Sequence, residues 1–120
     1  MKQPGPDHPI TLTANPRRVR VRIGDLVLAE TRAAVTLQEA SYPPVQYIPR
    51  QDAVAERLVP STKTTHCPYK GDASYLSIRG PDGVLTDAIW SYETPFPAVA
   101  EIAGHLAFYP NKVTIEELAD

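Results

Sequence analysis

Only one cysteine occurs in the 120 residues, at position 67. That excludes an internal disulfide and any zinc site built from several thiolates. The three histidines, His8, His66 and His105, are scattered and do not supply tetrahedral metal spacing, so no metal and no cofactor is expected. Long apolar runs are also missing. None approaches the roughly 20 residues that span a bilayer, so no membrane partner is expected. The opening MKQPGPDHPI has no apolar core of the signal-peptide kind, and a reducing, cytoplasmic location is the expectation that follows. Neither sign of charge is in large excess, the formal net charge being −2, which argues against nucleic acid as a partner. Glycine is scarce at six residues, whereas proline is plentiful at thirteen. Proline is excluded from helix interiors and central strands, so a bundle of long helices is ruled out and short elements joined by stiff turns are expected.

What is present suits one small globular domain: 42% hydrophobic and 22% charged residues in a chain too short for two cores. Residues 1–16 hold four prolines and little periodicity and read as a flexible N-terminal arm, leaving 17–120 as a single β-rich domain. In RRVRVRIGDLVLAE, Val19, Val21 and Ile23 alternate with Arg18, Arg20 and Arg22, the pattern of a half-buried strand. Gly24-Asp25 makes a turn into LVLAE, and AAVTLQE follows, predicting an antiparallel meander. The arginine face reads as the polar outer side of an edge strand, a common guard against aggregation. YPPVQYIP is extended because residues before proline avoid the α region. RQDAVAERLVP predicts a helical turn capped by Asp52 and stopped by Pro60.

Strand character resumes in TTHCPYKGDASYLSIRG, turns at Pro81-Asp82-Gly83 and returns in VLTDAIWSY. TPFPAVAEIAGH predicts about two helical turns, with Pro97 at the start and Gly104 as the stop. LAFYPNKVTIEEL predicts two short strands about a Pro-Asn turn. The fold class is therefore mainly β, twisted antiparallel sheets with one or two short helical turns.

The run THCPYKGDASY, residues 65–75, concentrates side chains that carry chemistry. An ammonium at Lys70 close to Cys67 would favour the thiolate, while free cysteines are as a rule small buried hydrophobes. His66 and Cys67 are adjacent and point to opposite faces of a strand, which argues against a Cys–His dyad. No G-x-x-x-x-G-K-[ST] phosphate loop is present. Lys70 can still meet an anionic group as a point charge. The aromatic residues Tyr69, Tyr75, Trp90, Tyr92, Phe108 and Tyr109 fall in the second half, and Trp90 and Tyr92 share a strand face. Such side chains line pockets and fill cores equally well. Glu39, Asp52, Asp72, Asp87 and Glu101 are the carboxylates available for proton transfer.

TTHCPYKGDASYLSI, AIWSYETPFP and IAGHLAFYPNKVTI, with RVRVRIGDLVLAETRAAVTLQE and VQYIPRQDA upstream, together resemble the bacterial domain of unknown function 427 family, which also bears a nucleotidyltransferase-type label. The resemblance covers about residues 17 to 116. It implies a fold similar to the Mss4-like β-tent, in which twisted sheets enclose a cleft, without the zinc of that fold, since its cysteine pairs are missing. It also implies that Glu39, Tyr47, Pro49, Asp52, Cys67, Pro68, Lys70, Gly71, Tyr75, Trp90, Tyr92, Phe108 and Tyr109 occupy the family's recurring positions. Polar and aromatic types dominate that set.

Two functional readings follow. In the first, a small-molecule site, binding or enzymatic, lies between sheet layers. Lys70 meets an anionic group, Glu39 or Asp52 handles protons, Cys67 is a nucleophile or a wall residue, and Tyr47, Tyr75, Trp90, Tyr92 and Tyr109 form the ligand-binding walls. In the second, the chain is a non-catalytic interaction module whose aromatic set is core. Convergence of Glu39, Lys70 and Tyr92 on one cavity separates the two.

Overall fold

The structure is a computed structural model and describes residues 1–119. Ten strands form three antiparallel sheets. The first sheet has the order β1-β4-β5, from β1 (Ile10–Asn15), β4 (Ala34–Glu39) and β5 (Val45–Tyr47). The second has the order β10-β2-β3, from β10 (Thr114–Leu118), β2 (Arg18–Ile23) and β3 (Leu26–Thr31). The third, β6-β7-β8-β9, joins β6 (Leu58–Cys67), β7 (Gly71–Gly80), β8 (Gly83–Ser91) and β9 (Ala107–Phe108). Three 3-10 turns, Arg50–Asp52, Ala55–Arg57 and Pro97–Ile102, are the only helical elements among the described residues. The molecule is mainly β, as the alternation and proline content predict. No helix among the described residues is long and apolar enough to cross a membrane.

Several expectations change once the strands are paired. The arm expected over residues 1–16 does not extend that far, because Ile10–Asn15 pair in register with Glu39–Ala34. Ile10 and Leu12 alternate with threonines and pack against the core, a period-two signal hidden among the prolines. The predicted meander breaks after β3, since β4 pairs with β1 and β5. β2 is a central strand, not an edge. Its arginines are flanked by carboxylates on both sides: Arg20 Nε donates to Glu30 at 2.8 Å and Arg22 Nε to Glu116 at 2.9 Å. Asp52 is no N-cap: Pro49 holds that position without a side-chain cap bond. Pro60 does not stop a helix but lies inside β6, where the register with β7 shifts before Thr64. The last two strands do not pair with each other; β9 joins β8 and β10 joins β2.

Two apolar clusters hold the layers together. In one, Val19 and Val21 of β2 and Leu28 of β3 meet Ile78, Ile89 and Phe108 of the third sheet. Full burial of each such side chain contributes about 1.5–3 kcal/mol. In the other, Leu37 and Tyr47 of the first sheet meet Tyr75, Ala107 and Tyr92, with Val99 and Ile102 from the 3-10 turn closing one end. The second cluster contains tyrosines, and the cavity opens beside it.

Candidate functional site

Strand alternation explains how the cavity is walled. Leu37 and Glu39 sit two apart on β4 and so share its inner face, where Leu37 pairs with Val45 and Val35 with Tyr47. Across the gap, Tyr75 of β7 is the cross-strand partner of Trp90 on β8, and Trp90 pairs in turn with Ala107. Tyr92 follows Trp90 by two and Tyr109 follows Ala107 by two, on the same side. The first and third sheets thus bring Leu37, Val45, Tyr47, Tyr75, Trp90, Tyr92 and Tyr109 around one cavity of about 220 Å³, with Tyr42 and Pro43 at its rim and Glu39 and Lys70 in its wall.

The turn between β6 and β7 delivers Lys70. Cys67 and Gly71 pair across a three-residue loop, and Gly71 lies at φ +111°, where a side chain is disfavoured. The Lys70 carbonyl accepts from Phe96 N–H at 2.9 Å, fixing the loop against the chain after β8. Lys70 is consequently 8% exposed, unusually low for a lysine. Its Nζ donates to Glu39 Oε1 in an ion pair, and lies 5.8 Å from the centre of the Tyr92 ring. The other Glu39 oxygen accepts from His8 Nε2 at 2.8 Å. His8 is itself stacked on Tyr69, centroids 3.9 Å apart. Burial is the largest influence on Glu39 and pushes its carboxyl up; the hydrogen bonds from Lys70 and His8 and the Lys70 charge together outweigh it, holding the group below the ordinary carboxylate range.

The aromatic walls are held equally firmly. Trp90 Nε1 donates to the Tyr47 hydroxyl at 3.2 Å, with the rings edge to face, and Trp90 also packs against Tyr109 with centroids 4.6 Å apart. Tyr75 shares a hydrogen bond with Thr65 at 3.0 Å. Burial raises the Tyr47 and Tyr92 phenols above the ordinary range, and pushes Tyr109, beside Tyr75, up to about 12. All three are neutral hydroxyls at neutral pH. The Tyr92 hydroxyl forms no hydrogen bond among the described residues, and Tyr92, though buried, lines the cavity.

Of the residues singled out from the sequence, seven surround the cavity: Glu39, Lys70, Tyr47, Tyr75, Trp90, Tyr92 and Tyr109. Asp52 is not among them. It lies in the Arg50–Asp52 turn and accepts from the Thr31 hydroxyl at 2.6 Å, tying that turn to β3. Cys67 is half-buried against the tyrosine-containing cluster and does not line the cavity. The Lys70 ammonium is paired with Glu39 instead of the thiol. His66 pairs with exposed Asp72 at 2.7 Å on the outer face, opposite Cys67. Tyr47, Tyr75 and Tyr92 belong to the core as well as to the cavity wall, so packing and lining are one role here. Sequence reasoning missed His8 and Tyr42. His8 lay in the presumed arm with no local signal; Tyr42 sits next to Pro43-Pro44, a rim position only the β4–β5 connection reveals.

A search of curated proteins finds no match to the chain. A family model described as Domain of unknown function (DUF427) matches residues 11–118, which takes in β2 to β10 and all of β1 but Ile10. The chain belongs to the domain of unknown function 427 family.

Proposed function

We propose that the cavity between the first and third sheets is a small-molecule binding site in which Lys70 is the principal polar anchor. One observation carries the reading: a lysine almost wholly withdrawn from water, paired with a carboxylate, in the wall of an aromatic cavity. A protein stabilised by packing alone gains nothing from such a pair, because withdrawing both charges from water costs about as much as their attraction returns. An apolar hollow with a few convergent polar groups is the usual form of a ligand site. Glu39 and His8 hold the ammonium in place and set its direction. Asp52, bound to Thr31, takes no part.

A thermal-shift screen of small molecules tests the proposal, since a ligand of the native state raises the melting temperature by mass action. Hits are expected that stabilise the wild type and lose their effect in Lys70→Met while keeping it in Asp52→Ala. Hits that act equally on all three proteins place binding elsewhere and overturn the assignment.

A further inference from the structure

A second hollow, of about 410 Å³, adjoins the first and shares Tyr42, Pro43, Val45 and Trp90 with it. Its remaining wall is apolar at Pro44, Phe108, Pro110 and Ile115, with Gln46 as its polar member, whose Oε1 already accepts from Asn15 and Thr36. Building on the small-molecule reading above, we infer that the two hollows are one bipartite site for an apolar monocarboxylate, the head at Lys70 and the hydrocarbon body lying over Trp90 in the apolar groove.

The head group follows from unused donors. An ammonium has three protons, and Lys70 gives one to Glu39. No other acceptor is bonded to it among the described residues, and Tyr92, whose hydroxyl likewise forms no hydrogen bond there, lines the same cavity with its ring centre 5.8 Å from the ammonium. Two donors in the wall of one cavity call for an oxygen acceptor on the ligand. The local charge limits that acceptor. Glu39 already neutralises Lys70, and no arginine lines the cavity, so a dianionic phosphate meets one shared cation and a neighbouring carboxylate. A single negative charge, spread over two oxygens, matches two donors. The body follows from the groove: Phe108, Ile115 and the prolines offer no side-chain hydrogen bonds and the Gln46 oxygen is already engaged, so what they contact is hydrocarbon.

Trp90 is the only tryptophan and stands in the shared wall, so its fluorescence reports either compartment. The experiment titrates the intact protein with straight-chain carboxylates from butanoate to octanoate, and with n-alkyl phosphates of equal length. Affinity for the acids is expected to rise about fourfold per added methylene until the groove is filled. The phosphates should bind more weakly at every length. Tyr92→Phe keeps the ring in place and should weaken every acid by about tenfold through loss of one hydrogen bond to a charged group. Pro44→Asp, at an exposed position on the groove's edge, should flatten the length dependence.

A flat series with Tyr92-dependent binding would overturn the bipartite assignment and leave the polar pocket standing. Length-dependent binding that ignores Tyr92→Phe would overturn the head-group assignment. Phosphates binding more tightly than acids would overturn the charge argument. No response to any acid defeats this inference, and the small-molecule reading falls with it only if the wider screen also yields no Lys70-dependent hit.

Discussion

Replacing Lys70 with methionine should destabilise the protein mainly through what it leaves behind. The methionine fills most of the lysine stem's volume, so little packing is lost. Glu39 is left with 13% side-chain exposure and one remaining partner, His8 at 2.8 Å. Breaking a fully buried pair costs about 3–5 kcal/mol, because one charge remains uncompensated. Here the retained His8 bond and the open cavity reduce that to about 2 kcal/mol. Removing the stranded charge should restore most of the loss: Lys70→Met/Glu39→Gln should be more stable than Lys70→Met alone, with a coupling of about 1–2 kcal/mol in the double-mutant cycle. The acid limb supplies an independent sign. In the wild type the folded-state Glu39 pKa lies below its unfolded value, so its contribution is present above about pH 4.5 and is lost as the pH falls through the folded value. Without Lys70 the burial influence regains ground, the two values approach each other and that part of the acid dependence should flatten. Urea unfolding of the four proteins between pH 3 and 7 measures all of this. Additive single-mutant costs, with the acid limb unchanged in Lys70→Met, would refute the claim that the pair is a coupled buried unit.

Gly71→Ala should cost about 1–3 kcal/mol in chemical unfolding, and the cause is backbone strain: φ is +111°, while a Cβ would meet its nearest neighbours at an ordinary 3.6 Å. Because the same bend turns Lys70 inward, ligand affinity should fall with it; a variant of wild-type stability would refute the strained-turn reading. Asp52→Ala should lose about 1–2 kcal/mol through the unmade bond to Thr31, with ligand binding unchanged in a fluorescence titration. Cys67→Ala should cost about 1 kcal/mol of packing and likewise leave binding intact; loss of binding in a folded Cys67→Ala protein would return the thiol to the site. Absorbance at 295 nm should show Tyr47, Tyr92 and Tyr109 ionising only above the usual tyrosine range of about 10. Since these phenols ionise later in the folded state than in the unfolded one, their contribution holds below about pH 10 and is lost as the pH rises through the folded values, so unfolding should become easier in alkali.

Local rules were enough for the elements that depend on local rules. Alternation in VRVRI places Val19 and Val21 at 0% exposure, and Pro81-Asp82-Gly83 turns β7 into β8 where turn chemistry demands. The same rules gave the shared face of Trp90 and Tyr92, and the family pattern pointed to Lys70 and Glu39 without showing that they touch. Which strands pair was not legible. β4 finds β1 19 to 29 residues away and β10 finds β2 more than 90 away, and a strand's sequence states which face is apolar but not whose backbone will complete its hydrogen bonds. Asp52 shows the consequence: beside Thr31 it is a tie between elements, although by type and position it suited a cap or a proton acceptor equally. His8 shows the reverse case, an unremarkable residue in a proline-rich segment that acquires a role because β1 lays that segment beside Glu39. Residue types fixed what chemistry was available; distance in space decided which groups share it, since hydrogen bonds and ion pairs act over a few ångströms and these partners lie 31 residues apart in the chain.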